Sequence, residues 1–297
     1  MLLGEHAVLC GGRAVACAID RRIEARWFSA NDGRLRIESA LGRYDAPAAE
    51  LPPDARFRFV LAVLRRYPEV VEAGGRLEIE ADFSSTIGFG SSAAVTAATH
   101  AAAMALRAGA PAAPEEVFRA TRETIRAVQG RGSGTDAAAS VYGGAIAYRQ
   151  EALPERLPAV FPLTAVYCGY KTPTPEVVAR VEARRAVERE RFERIFEAID
   201  AAAGAAIDAL RASDFPAFGA AMNRNGAAMR ELGVETPELR EIVEALRAGE
   251  GIWGAKISGS GLGDCAVGAG AHVAPPAEYE GHALRVDARG CATELRR

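Results

Sequence analysis

The chain has 297 residues, enough to bury one or two substantial cores. Its composition, 49% hydrophobic and 25% charged, is that of an ordinary globular protein, and a net charge of −3 gives no electrostatic footprint for nucleic acid or an anionic membrane surface. No charge-free apolar run reaches a membrane-spanning length of about 18 residues, no basic stretch leads an apolar one at the start, and five scattered cysteines without a C-x-x-C argue for reduced thiols in the cytoplasm and against a zinc site.

Residues 5–46 read as strand material broken by turns: Ala14–Asp20 is apolar, Arg22–Phe28 alternates, and Asn31-Asp32-Gly33 signals a hairpin. Pro52-Pro53-Asp54 marks a loop and Phe57–Arg66 has helical periodicity. Arg76–Phe83 reads as a strand running into a glycine-rich turn, which opens onto an Ala-rich helix from Ser91 to Arg107. A second helix, Pro114–Val128, starts with Pro-Glu-Glu and stops at Gly130. Ala145–Tyr148 and Leu163–Cys168 look like strands. Over 175–212 charged and apolar residues alternate at helical spacing, the mark of an amphipathic helix with a solvated charged face. Pro216–Leu232 and Pro237–Ala248 give further helices, 251–269 returns to glycine, and 273–297 is short strand-like material. The alternation of strand-rich and helix-rich segments is that of an α+β protein, with a boundary near 155–170, where Pro154, Pro158 and Pro162 cluster.

The turn S-S-T-I-G-F-G-S-S-A-A-V over 84–95 is built for a phosphate. Gly88 and Gly90 permit backbone conformations that bulky residues resist. Ser91 and Ser92 cap the helix or offer hydroxyls to a metal or phosphate. The helix N-terminus presents free N–H groups and a partial positive charge. A capped helix without a ligand is the plain alternative. Gly88–Ala93 also fits a dinucleotide fingerprint, but 101–113 hold no acid where that fingerprint wants one about 20 positions on. Gly249 and Gly254 have the gap of a P-loop, but Ala255 stands in the lysine's place.

Two more glycine-rich segments follow, Q-G-R-G-S-G-T-D-A-A-A-S-V-Y-G-G at 129–144 and A-K-I-S-G-S-G-L-G-D-C at 255–265, and the chain opens L-L-G-E-H-A-V-L-C-G-G-R-A-V. In this order the four segments resemble the GHMP kinase family of galactokinases, homoserine kinases, mevalonate kinases and phosphomevalonate kinases, over residues 2 to about 269. The resemblance implies a two-domain α+β fold. Residues 1–160 would form a nucleotide-binding, ribosomal protein S5 domain 2-like N-terminal domain with a left-handed β-α-β crossover, and 161–297 a ferredoxin-like C-terminal domain. It further implies an ATP-dependent phosphotransferase with an alcohol as acceptor, using ATP and Mg2+. Its partners would be a small-molecule substrate and a nucleotide, with no nucleic acid and no membrane; a homodimer stays open.

Site residues follow from the same resemblance. Backbone N–H groups of Gly88, Gly90, Ser91, Ser92 and Ala93 would cradle the phosphates, and Gly259, Ser260 and Gly261 would close the site. Ser92 looks like the family's magnesium-ligating serine. Asp136 looks like its catalytic aspartate, which accepts or orients the proton of the acceptor hydroxyl. The family's magnesium glutamate falls 11 residues before that aspartate, where Ile125 stands; Glu123, 13 before, is the candidate in its place. Glu5 and His6 resemble the substrate-end G-E-H segment, Lys171 would meet an anionic substrate group, and Thr174 a hydroxyl or carboxylate. A lysine six residues before Glu5 would lie upstream of Met1, and the upstream reading frame is expected to supply it. The bland readings are capping serines, a turn aspartate, a solvated glutamate, a packed histidine and a glycine hairpin. G-E-H leans toward mevalonate as acceptor, phosphorylated to 5-phosphomevalonate for isoprenoid precursors. Q-G-x-G-S-G-x-D and G-D-C lean toward phosphomevalonate, but 84–90 hold no lysine for a second phosphate, leaving Lys256 and Arg131 as partners. Mevalonate is favoured; a sugar acceptor and a non-catalytic nucleotide-binding regulator are the alternatives.

Overall fold

A computed structural model describes residues 1–84, 87–130 and 132–295. In chain order these form β1 (Arg13–Cys17), β2 (Ile23–Ser29), β3 (Arg34–Ser39), β4 (Gly42–Pro47), α1 (Arg58–Leu64), α2 (Pro68–Val71), β5 (Gly75–Ala81), α3 (Ser91–Ala108) and α4 (Pro114–Gln129). Next come α5 (Thr135–Tyr142), β6 (Ala145–Arg149), β7 (Glu155–Leu157), β8 (Pro162–Tyr167), α6 (Thr174–Val187) and α7 (Arg189–Arg211). The last are α8 (Phe215–Leu232), α9 (Pro237–Ala248), β9 (Gly254–Ser258), β10 (Cys265–Ala269) and β11 (Glu280–Arg285). The architecture is α+β, as the sequence implied. The chain forms two compact units that interleave along the sequence. One takes Met1–Asp20, Thr86–Gly88 and Gly143–Ala288; the other takes Arg21–Ser85, Phe89–Tyr142 and Arg289–Arg297.

The second unit is a four-stranded sheet in the order β2-β5-β3-β4, packed with α1 to α5. Here Asn31-Asp32-Gly33 does not close a hairpin. It joins β2 to β3, but β5 lies between them, antiparallel to β2 and parallel to β3. The alternation in β2 is satisfied by a partner that comes later in the sequence, which a turn signal cannot report. Leu35, Ile37, Phe57, Leu61, Leu64 and Leu77 make its core. In α3 the buried face is largely alanine, with Ala93, Ala97, Ala101 and Ala105 nearly inaccessible. Alanine loses no side-chain entropy in a helix and lets neighbours approach closely.

The first unit holds two antiparallel sheets, β1-β6-β7 and β11-β8-β10-β9. Helices α6 to α9 separate β8 from β9 in sequence and bury Phe192, Ile199, Leu232, Leu239 and Ile242 with Ile257 of β9. The amphipathic stretch expected as one run over 175–212 is two helices, broken at Glu188, whose φ of −113° and ψ of 46° leave the helical region. Helix α8 lies close along β9 because Gly226 faces it: a Cβ there would stand 3.1 Å from the Cβ of Lys256. All five cysteines are free thiols. No helix among the described residues is long and apolar enough to cross a membrane.

Candidate active site

The second unit carries the phosphate turn. Gly90, at φ 78° and ψ 25°, is the N-cap of α3 and uses the left-handed conformation open to glycine. Ser91 and Ser92 are therefore the first two helical residues, and no side chain among the described residues caps the helix. This corrects the capping reading of the two serines. The first helix N–H groups to find a main-chain acceptor are those of Ala93 and Ala94, both on the Gly90 carbonyl. The N–H groups and hydroxyls of Ser91 and Ser92 thus stand at the positive end of an 18-residue helix, the arrangement that binds anions.

Asp136 sits against this turn. A Cβ on Gly90 would lie 3.8 Å from the Asp136 Cβ and 3.9 Å from its Cγ. Asp136 is the second residue of α5, a helix that sequence reasoning missed because G-S-G reads as a loop. Its start signal was Ser133, whose hydroxyl accepts the Thr135 N–H at 3.2 Å. Asp136 is exposed, and its carboxylate has no hydrogen-bond or ion-pair partner among the described residues. Glu123 lies on an exposed part of α4 and pairs with Arg66 at 2.8 Å. Ile125, two residues on and so about 200° further round the helix, is 9% exposed. No group of three or more His, Cys, Asp or Glu residues that could hold a metal occurs among the described residues. Arg131 lies outside them.

The first unit carries the opening segment, Gly88 and the third glycine loop. Glu5 is 2% and His6 5% exposed. Glu5 is spent on protein: Oε1 accepts from the Lys256 ammonium at 2.6 Å, and Oε2 from the Asn225 amide at 3.2 Å. Lys256, weighed above as a phosphate partner, is fully buried. Burial pushes its pKa down, opposed by Glu5. The His6 ring meets the Ser260 carbonyl through Nε2 at 2.9 Å, and burial lowers its pKa while that carbonyl and Glu5 oppose the shift. Gly259 and Gly261 flank Ser260 at φ 83° and 87°.

Asp264 was missed by the sequence reading, although G-D-C was noted. Its Oδ1 accepts the Gly88 N–H at 2.8 Å, and its Oδ2 pairs with Lys171 at 2.8 Å. Thr172 donates to the Leu262 carbonyl at 2.5 Å, so the segment after β8 is stitched to the third glycine loop. Thr174 is the exposed first residue of α6. Gly88 is required here for space, since a Cβ would fall 2.0 Å from the Asp264 Oδ2. Gly88→Ala should therefore cost about 1–3 kcal/mol, split between stability and nucleotide affinity, as overpacking does. Adding Asp264→Gly should return part of it. A parental Tm and a parental KM for ATP in Gly88→Ala would refute this packing.

A helix terminus whose first N–H groups and hydroxyls have no partner among the described residues, beside a carboxylate that has none among them either, suits phosphoryl transfer: the phosphates are held and a hydroxyl nucleophile can be aligned and deprotonated. The comparisons agree with that chemistry. The family described as GHMP kinases N terminal domain matches residues 57–144, and GHMP kinases C terminal matches 206–278. The mevalonate kinase of Archaeoglobus fulgidus is 34% identical over 271 residues, 90% of this chain and 88% of that protein. Among solved structures, the L. major mevalonate kinase in complex with R-mevalonate superposes with a TM-score of 0.80 at 24% identity, over 98% of this chain and 94% of that one. Streptococcus pneumoniae phosphomevalonate kinase, in complex with phosphomevalonate and AMPPNP, reaches 0.75 at 16% identity, over 92% and 90%. The chain belongs to the GHMP kinase family. It is an ATP-using kinase whose acceptor is an alcohol.

Proposed function

We propose that this kinase phosphorylates the hydroxyl of mevalonate, giving 5-phosphomevalonate. The observation that carries the reading is the 34% identity to the Archaeoglobus fulgidus mevalonate kinase across 88% of its length. Charge supports it. Lys171 is already paired with Asp264, and Lys256 with Glu5. Neither offers the surplus positive charge that a second, doubly charged phosphate would want, while a single carboxylate needs less.

In this reading the N–H groups of Gly88, Gly90, Ser91, Ser92 and Ala93 hold the ATP phosphates, and Gly259, Ser260 and Gly261 close over them. Asp136 takes or orients the proton of the acceptor hydroxyl. His6, Lys171 and Thr174 meet the acceptor, and Glu5 acts from behind His6. The donors present fit a hard cation such as Mg2+, which takes one or two protein oxygens and keeps phosphate and water as its other ligands. Ser92 would supply one; Glu123 would do so only by leaving Arg66. When bound, the ion supplies charge neutralisation on the phosphates. Nucleotide binding falls to residues 1–160 and closure to 161–297, and the enzyme works in the cytoplasm on small molecules, alone or as a homodimer.

Measuring kcat/KM for mevalonate and phosphomevalonate with ATP and magnesium tests this. Mevalonate should win by about tenfold or more, since leaving charged groups unpaired in a site is the costly error. A tenfold preference for phosphomevalonate would assign the G-D-C signal to the acceptor instead.

A further inference from the structure

Lysine and glutamate are almost never fully buried unless paired. At Lys256 and Glu5 the side chains are 0% and 1% exposed. Stability alone does not explain such a pair, because desolvation commonly cancels its attraction and apolar packing does as well. Its attachments are more telling. Asn225, fully buried on α8, accepts the Gly4 N–H at 3.0 Å through Oδ1 and donates to Glu5 Oε2 through Nδ2. Glu5 is thus held at both carboxylate oxygens, and the residue before it by its backbone. The residue after it, His6, has φ 61° and ψ −52°, outside the regions that side-chain-bearing residues favour. Such a residue persists only where its surroundings over-determine it. Its ring reaches the Ser260 carbonyl, and Ser260 lies two residues past the end of β9, the strand that also carries Lys256.

We propose that Lys256 and Asn225 are positioning residues: through Glu5 they hold His6 in its strained conformation against the third glycine loop. Any kinetic consequence rests on the reading of His6 as an acceptor contact; the positioning itself does not.

The experiment compares the full chain with Lys256→Met/Glu5→Gln, in which the facing charges leave together and no lone charge stays buried. The imidazole of His6 is titrated by NMR without substrate, and kcat is measured with whichever acceptor the protein turns over. The charged groups facing that ring are Glu5, Lys256 and, from α6, Glu182. Because one cation and one anion are lost, a rise of the His6 titration toward its ordinary value of 6.5 reports exposure of the ring rather than altered charge. That rise is expected, with a Tm close to the parent and kcat lower by about a hundredfold, the cost of roughly 1 Å of misplacement. A folded double variant whose His6 titrates as in the parent overturns the proposal. A shifted titration with parental kcat leaves the positioning standing and refutes instead the role of His6 at the acceptor. If the double variant does not fold, Asn225→Ala is read in the same two ways.

Discussion

Asp136→Asn is expected to lower kcat by about 10²–10⁴, the usual worth of a positioned acid–base group, with nucleotide affinity nearly unchanged. The substitution keeps shape and removes the carboxylate's basicity. Asp136 is exposed and has no partner among the described residues, so no ion pair is broken and Tm should stay within a few degrees. The neighbouring Gly90 turn keeps its geometry, because asparagine at 136 fits the 3.8 Å approach that aspartate makes. Steady-state kinetics, ATP-analogue calorimetry and a melting curve separate the three quantities. Parental kcat would take Asp136 out of the proton transfer. A lost nucleotide affinity would move its role to the phosphates.

Acid should weaken the second unit sharply. His100 of α3 is fully buried, with Nδ1 at 2.9 Å from the Tyr67 hydroxyl and Nε2 at 2.8 Å from the Thr124 hydroxyl. Burial first, then the Arg66 charge, pushes its pKa from 6.5 down to about 3. The folded value lies below the unfolded one, so between them the unfolded chain binds more protons. Stability is complete above pH 6.5 and is lost as pH falls toward 3. At pH 5 the loss from this group is roughly 2 kcal/mol, from about 1.4 kcal/mol per pKa unit. His6, in the first unit, is also lowered by burial, so acid weakens that unit in the same direction. Urea unfolding of the parent and His100→Gln at pH 7 and pH 5 isolates the effect. The variant loses hydrogen bonds at both pH values, but its pH dependence should be smaller by roughly those 2 kcal/mol. Equal dependence in the two proteins would mean that His100 does not carry the effect.

Local signals were legible in the sequence. The glycine turn before α3, the Pro-Glu-Glu start of α4 and the proline start of α9 each act within one or two turns of chain, and the helices begin where those residues are. The family was legible because its four glycine-rich and G-E-H segments are short and fall in a fixed order. Partnerships across long separations were not. The insertion of β5 between β2 and β3 depends on residues far beyond the turn that suggested a hairpin. Lys256 looks like a site cation in A-K-I-S-G-S-G, and only a glutamate 251 positions away makes it a buried counter-ion. Asp264 looks like a turn residue until Gly88, 176 positions earlier, is placed on its carboxylate. Helix α5 was hidden for a different reason: Ser133, whose hydroxyl accepts the N–H of its first residue, lies inside a glycine run.

The 251-residue gap between Glu5 and Lys256 also sets a clock during synthesis. At about 5–20 residues per second, the ribosome releases the carboxylate roughly 10–50 s before the ammonium that neutralises it. Until then Met1–Asp20 has no completed unit to join, because the rest of that unit is still being translated. The buried residues of Met1–Asp20, Leu2, Leu3, Glu5 and His6 among them, therefore wait on the nascent chain without their final partners. The second unit, whose elements are finished by Tyr142 apart from a short final segment, can fold in the meantime. Nascent-chain proteolysis should find the second unit up to Tyr142 protected early and the first 20 residues only near the end of translation.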